Sequence, residues 1–266
     1  MAIKQLIASD MDGTFLDENR SYDKKKLAEI LVKFDEKDVV FCAASGRQLL
    51  ALETLFADFT DKIAFVAENG ALVKYHDQIL YHNVLGKEKA REIVKTVRSH
   101  PEMKNDVILF SGLNGAYVLD SAPDEFFDFA GLYYKDLQRI STIDDINDDI
   151  LKVCVEFPPE KVRECEAWIN EKVSGIHATT TGFRSIDIMN AGITKATGLS
   201  NLLEHLNLTS SNLTAFGDQM NDYEMLKLAG KSIAVENAVA QIKAIADVII
   251  PEHTTGSVLK EMSKLS

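Results

Sequence analysis

Asp10 and Asp12 stand two residues apart in Asp10-Met-Asp-Gly-Thr14, directly after the apolar run Leu6-Ile-Ala-Ser9. Residues two apart on an extended chain point the same way, and Gly13 permits a turn that could bring Asp12 over whatever Asp10 attacks. One carboxylate can then be a nucleophile and the other a proton shuttle. A turn or N-cap cluster uses the same residue types. A second acidic group, Gly217-Asp-Gln-Met-Asn-Asp222, follows the apolar run Leu213-Thr-Ala-Phe216. Two acidic strand ends in one sheet can converge. Magnesium takes oxygen ligands and keeps several waters, so Asp10 and Asp218 with a substrate phosphate would suffice as direct ligands. The alternative is that Asp218, Asn221 and Asp222 cap the helix that follows.

Ser45 ends a further apolar run in Ala43-Ala-Ser-Gly-Arg47, where its hydroxyl and the amides from Gly46 onward could hold phosphate oxygens. Lys195 in Gly192-Ile-Thr-Lys195 opens a helical stretch with Thr194 as a candidate cap, so ammonium and helix dipole could act on one anion. A solvated lysine is the simpler reading of Lys195 alone. The six histidines, His76, His82, His100, His177, His205 and His253, have no metal-binding spacing and read as surface or satisfied side chains. Trp168 shares helical spacing with Val162, Cys165 and Ile169, a core pattern, and Phe126, Phe127 and Phe129 read as packing residues. Asp144-Asp-Ile-Asn-Asp-Asp149 lacks the central glycine and closing glutamate of a calcium loop and reads as solvated.

The elements that must position these groups are legible in part. Leu6–Ser9, Val39–Ala44 and Ile63–Ala67 are short apolar runs, as in parallel strands buried on both faces. Leu27, Ile30, Leu31 and Phe34 recur at helical spacing between the first two, with Ser21 a candidate N-cap upstream. Leu49, Leu52, Leu55 and Phe56 repeat the pattern. The alternation β-α-β-α-β predicts a Rossmann-like doubly wound parallel sheet of the α/β class. It resumes with Leu213–Phe216, Ser232–Val235 and Val248–Ile250, separated by helical stretches over 222–229 and 237–246. Between them, Val107–Phe110 and Tyr117–Leu119 flank the turn signal Asn114-Gly115, and Ile176–Thr180 can pair with Arg184–Met189 across Thr181-Gly-Phe183. With helical patterns at 86–99 and 159–173, residues 84–189 read as an α+β domain inserted into a core of 1–83 and 190–266.

At 266 residues and 46% hydrophobic, the chain can bury a sizeable core. Its three cysteines show neither a disulfide framework nor zinc spacing, which fits a reducing compartment. The N-terminal residues resemble no signal peptide and no apolar run is long enough to span a membrane, so a soluble cytoplasmic protein is expected. A formal charge of −12 argues against nucleic-acid binding, which needs a basic face.

The order strand-Asp-x-Asp-Gly-Thr, strand-Ser-Gly-Arg, Lys, strand-Gly-Asp-x-x-Asn-Asp resembles the four motifs of the haloacid dehalogenase superfamily. The insertion, with Asn69-Gly-Ala71 just before it, is similar in placement to the α/β cap of the Cof-like phosphatases. The resemblance implies a magnesium-dependent phosphatase acting on small phosphorylated metabolites through a phosphoaspartate. It implies Asp10 as nucleophile and metal ligand, and Asp12 as general acid/base with its backbone carbonyl on the metal. Asp218 becomes the remaining protein ligand. Ser45, Gly46, Lys195 and Asn221 are implied at the phosphate, Asp222 in support, and Arg47 and Asn69 toward the substrate. Gln219 departs from the small residue common at its place. A phosphomutase would use the same aspartates, and a phosphate-binding or phosphoacceptor module would need a similar set without Asp12 or a lid.

Overall fold

The protein is described by a computed structural model over residues 2–181 and 184–265. In chain order its strands are β1 (Gln5–Ser9), β2 (Val39–Ala44), β3 (Ala64–Ala67), β4 (Leu72–Tyr75), β5 (Gln78–His82), β6 (Ile108–Gly112) and β7 (Ala116–Leu119). They continue as β8 (Leu137–Ile140), β9 (Ile150–Glu156), β10 (Ile176–Thr180), β11 (Ser185–Asn190), β12 (Leu213–Gly217), β13 (Lys231–Val235) and β14 (Val248–Ile250). The helices are α1 (Lys24–Glu36), α2 (Leu49–Leu55), α3 (Lys87–Arg98), α4 (Asp124–Ala130), α5 (Val162–Lys172), α6 (Lys195–His205), α7 (Tyr223–Leu228), α8 (Ala240–Ile245) and α9 (Ser257–Leu265). The chain divides into two compact units. One contains Met1–Ser45, Phe56–Tyr81 and Thr194–Ser266; the other contains Gly46–Leu55 and His82–Ile193.

The first unit is built on a sheet of order β14-β13-β12-β1-β2-β3-β4-β5, in which β14 through β3 run parallel and β4 turns back antiparallel to β3. All six residues of β2 are buried, which is why that strand is a continuous apolar run. Helix α1 packs on β2 and on α9, while α6, α7 and α8 form a second group against β3, β12 and β13. Leu27, Ile30, Leu31 and Phe34 form the buried stripe of α1. Its N-cap, however, is Asp23, whose carboxylate accepts from the Lys26 amide at 2.8 Å, and not Ser21. Ser21 instead gives its own amide to Asp17 Oδ1. Beside β1 and β2, Phe15, Tyr22, Phe41, Phe56 and Phe65 make a chain of ring contacts with centroids 5.0–6.4 Å apart. Each such pair contributes about 0.5–1.5 kcal/mol beyond area burial. Phe15 is thereby anchored five residues past Asp10, and the turn carrying Asp12 has a fixed exit.

The second unit holds a sheet of order β10-β11-β9-β6-β7-β8, antiparallel except for β7 beside β8. Ile108, Phe110, Val153, Val155, Ile186 and Ile188 pack on one face with the apolar stripes of α3 and α5. Trp168 lies partly buried at that core's edge. On the other face, Phe126 and Ala130 of α4 cover Leu109, Val118 and Cys154. The Asn114-Gly115 turn forms as its residues suggest. Asp148 secures it by accepting from both of those amides and from Tyr117 Oη at 2.8–3.2 Å. The acidic segment 144–149 is therefore not wholly solvated: Asp148 is a turn clamp. Strands β10 and β11 pair antiparallel, although Gly182 and Phe183 of the expected turn lie outside the described residues. Lys152, fully buried in β9, pairs with Asp187 of β11 at 3.0 Å and donates to the Gly46 carbonyl at 2.6 Å. The three cysteines are free and buried. No helix among the described residues is long and apolar enough to cross a membrane.

Candidate active site

The candidate residues of the first unit gather at the carboxyl edge of its parallel strands, where the chain order reverses between β1 and β12. Open α/β sheets bind ligands at such a switch point. Register sets the meeting: Ser9 lies beside Phe216 on one side and Ala43 on the other. The next residues along, Asp10, Gly217-Asp218 and Ala44-Ser45, are consequently neighbours. The Asp10 amide continues the ladder by donating to the Phe216 carbonyl at 2.9 Å.

After Asp10 the chain makes a turn over Met11–Phe15 in which Asp12 and Gly13 leave helical geometry, Gly13 with φ +83°. A side chain there is excluded twice, by the left-handed backbone and because a Cβ would stand 2.7 Å from Asp218 Oδ2. Asp12 is exposed at this turn, whereas Asp10 is buried. Thr14, to which the sequence assigned no part, donates to Asp218 Oδ1 at 2.7 Å. Its place in the same five-residue motif was the available signal.

Lys195 is the first residue of α6. Thr194 caps that helix by accepting from the Thr197 amide, as expected of its position. The ammonium is completely buried and lies 2.5 Å from Asp10 Oδ1 and 2.6 Å from Asp222 Oδ1. The other oxygen of Asp222 accepts from the amides of Asp218 and Gln219 at 2.9 and 3.0 Å, so the loop shape is held with glutamine at 219. Asp222 thus orients Lys195 and the Asp218 backbone together. Asn69 and Asn221 are brought side by side, the Asn221 amide donating to Asn69 Oδ1 at 3.0 Å. The Asn69 amide in turn donates to the Ser45 carbonyl at 3.0 Å. Gly70 has φ +98°, and a Cβ on it would collide with the Thr194 carbonyl, so this turn is pressed against the start of α6. Gly46 and Arg47 follow Ser45 in the chain but group with the second unit.

Carboxylate oxygens of Asp10, Asp218 and Asp222 lie within 4.8 Å of one another. Burial, then the neighbouring Asp222, push the Asp218 carboxyl up to about 7, against the hydrogen bond from Thr14 and the charge of Lys195. Asp10 is also raised, first by burial and then by Asp222 and Asp218, with Lys195 opposing. Burial alone would lower Lys195, but Asp10 and Asp222 outweigh it and hold the ammonium above its ordinary value. With all three ionised, the buried carboxylates would outweigh the Lys195 ammonium by two negative charges, the number that a divalent cation balances. The donors are hard oxygens with no thiolate or imidazole among them, the set that suits magnesium.

A family model for haloacid dehalogenase-like hydrolases matches residues 7–262. The chain belongs to that family. Within it, the 5-amino-6-(5-phospho-D-ribitylamino)uracil phosphatase of Escherichia coli is 32% identical over the whole of this chain and 97% of its own length. An HMP-PP phosphatase of Serratia proteamaculans is 26% identical over 91% of this chain and 87% of that one. A crystal structure of a Streptococcus mutans protein superposes with a TM-score of 0.92 at 30% identity, covering 99% of both chains. This haloacid dehalogenase-like hydrolase is a phosphatase with the α/β core of its family.

Proposed function

We propose that the phosphatase is magnesium-dependent and hydrolyses small phosphorylated metabolites through a phosphoaspartate on Asp10. The observation that carries this reading is the buried Asp10 carboxylate held 2.5 Å from Lys195 within a group of three carboxylates. Asp10 and Asp218, with the main-chain carbonyl of Asp12, would hold the ion, whose part is to add positive charge beside the transferring phosphoryl oxygens.

Asp10 attacks phosphorus in line; its oxygen–phosphorus bond forms as the ester bond breaks, and Asp12 gives its proton to the leaving oxygen. Asp12, now a carboxylate, takes a proton from the attacking water in the second step. That water displaces Asp10 and releases inorganic phosphate. Lys195, kept charged and aimed by Asp222, stabilises the equatorial oxygens together with the Ser45 hydroxyl, the Gly46 amide and Asn221. Phe15, Thr14 and the capping of α6 keep these groups in place before substrate arrives. In this reading 1–83 and 190–266 are the catalytic core, 84–189 is the cap, and the choice among substrates falls to the cap, with Arg47 and Asn69 as further candidates.

The two named substrates of the relatives head the panel that tests the proposal, followed by sugar phosphates and pyridoxal phosphate. Free phosphate is measured with magnesium and with chelator, and acid-quenched enzyme is mapped for label from a labelled substrate. Magnesium-dependent release with label on Asp10 is expected. Chelator-resistant turnover, or label on another residue, would sink the reading.

A further inference from the structure

A proton shuttle has to be held in place, yet Asp12 is exposed and sits in a turn of irregular backbone. From inside, the turn is closed by the Phe15 amide on the Asp10 carbonyl at 3.2 Å and the Leu16 amide on the Met11 carbonyl at 2.9 Å. Two side chains from more than two hundred residues away close it from outside. Asn237 Nδ2 donates to the Gly13 carbonyl at 2.8 Å, and His253 Nδ1 meets the Leu16 carbonyl at 2.7 Å. A carbonyl only accepts, so Nδ1 carries the hydrogen. Asn237 Oδ1 also accepts from the His253 amide at 3.1 Å, which joins the two into one brace. The loop bearing Asn237 is itself tied to the metal-binding strand end, because the Val239 amide donates to the Asp218 carbonyl at 2.9 Å.

We propose that Asn237 and His253 are positioning residues for catalysis, a two-residue brace that orients Asp12 for proton transfer through the carbonyls of Gly13 and Leu16. The inference rests on the reading of Asp12 as the general acid/base. Neither side chain touches a reacting atom. The Gly13 carbonyl fixes the plane of the peptide that follows it, and with it the rotation of the turn from Asp12 to Thr14. Released from Asn237, that peptide can rotate, and Asp12 then spends less time where it can reach the leaving oxygen. Thr14 would keep its bond to Asp218, so phosphate binding is spared while proton transfer is not.

The test is steady-state kinetics with magnesium on one alkyl and one aryl phosphate, for Asn237→Asp, Asn237→Ser, His253→Ala and His253→Asn, with Asp12→Asn as reference. Asn237→Asp keeps size and the acceptor toward His253 but removes the donor to Gly13. Asn237 is exposed, so both its variants should fold, and thermal melts verify this. Small misplacements of catalytic groups cost up to about 10²-fold. The expected result is a fall of about 10- to 100-fold in kcat/KM on the alkyl phosphate for Asn237→Asp, Asn237→Ser and His253→Ala. That ratio reports the steps through departure of the alcohol, whereas kcat also contains hydrolysis of the phosphoaspartate, which both substrates share. On kcat/KM the aryl phosphate, which needs little protonation, should lose far less. His253→Asn, which keeps a donor nitrogen near the Nδ1 position, should recover most of the loss. Equal losses of kcat/KM on both substrates, while Asp12→Asn still discriminates between them, would overturn the brace and leave the Asp12 assignment standing. If Asp12→Asn itself does not discriminate, the assignment fails and the brace falls with it.

Discussion

Lys195 pairs with two of three clustered buried carboxylates, so its removal and the removal of an acid should act in opposite directions. Lys195→Met leaves Asp10 and Asp222 without their counter-charge; breaking a buried pair in this way costs about 3–5 kcal/mol. Urea melts in chelator should show that loss, and magnesium should restore part of it. Asp218→Asn relieves repulsion and can still accept from Thr14, so the metal-free protein should become more stable while the stabilisation by magnesium disappears. The sign follows from the carboxyl's rise from 3.8 to about 7. A raised acid contributes stability that is complete below its unfolded value and is lost as pH rises through about 7. The gain from Asp218→Asn should therefore be largest above neutral pH. Equal melting of variant and wild type in chelator at pH 8 would contradict it.

At the scale of elements, the turn over Met11–Phe15 and the C-terminal end of α3 each lead to a prediction. Gly13→Ala places an L-residue at φ +83° with its Cβ 2.7 Å from Asp218 Oδ2. The backbone term alone is about 1–2 kcal/mol, and the displaced Asp218 should lower kcat and magnesium affinity together. Unchanged metal affinity in this variant would show that the turn yields without moving Asp218. At the end of α3, Arg98 makes two bonds of 2.7 Å to Asp106, which also accepts from Ser121 at 2.8 Å. The Arg98 hydrogen bonds hold the Asp106 carboxyl below its ordinary value, against the effect of burial. A depressed acid stabilises above its unfolded value and loses that contribution as pH falls through the folded one. Asp106→Asn should thus cost about 0.5–1 kcal/mol at neutral pH and next to nothing once the Asp106 carboxyl is protonated in the folded and unfolded states alike, measured by urea melts across pH.

For the whole molecule, the formal charge of −12 opposes approach of a phosphate dianion even where the site itself has been neutralised. Screening shrinks the reach of that field, the Debye length falling from about 30 Å at 0.01 M to about 8 Å at 0.15 M. With magnesium saturating throughout, kcat/KM should rise with ionic strength over that range. A fall would mean that local cations near the site outweigh the global charge. The same acidity disfavours nucleic acids, which need a basic face, but not a phosphate substrate, because the site's own charges act at closer range.

Strand ends, the Asp10-Met-Asp-Gly-Thr14 turn and the Thr194 cap were legible because each rests on local chemistry: an apolar run, a glycine that must take positive φ, a hydroxyl that meets an orphan amide. Local signals also misled where two residues offered the same chemistry. Asp23 and Ser21 can both cap α1, and only the packed helix decides between them. Strand β5 gave little signal since it is the edge strand of its sheet, where side chains need not be apolar. Nothing local marks Lys152 as buried; its partner Asp187 lies on the neighbouring strand β11, thirty-five residues along the chain. What the sequence determined by itself was the identity of the groups and the strand ends that carry them. What only the tertiary structure decided was their convergence: Lys195 between Asp10 and Asp222, Thr14 on Asp218, Asn237 and His253 on the Asp12 turn. Those meetings depend on strand register and on loops hundreds of residues apart closing together, and no local pattern of polarity encodes the distance between them.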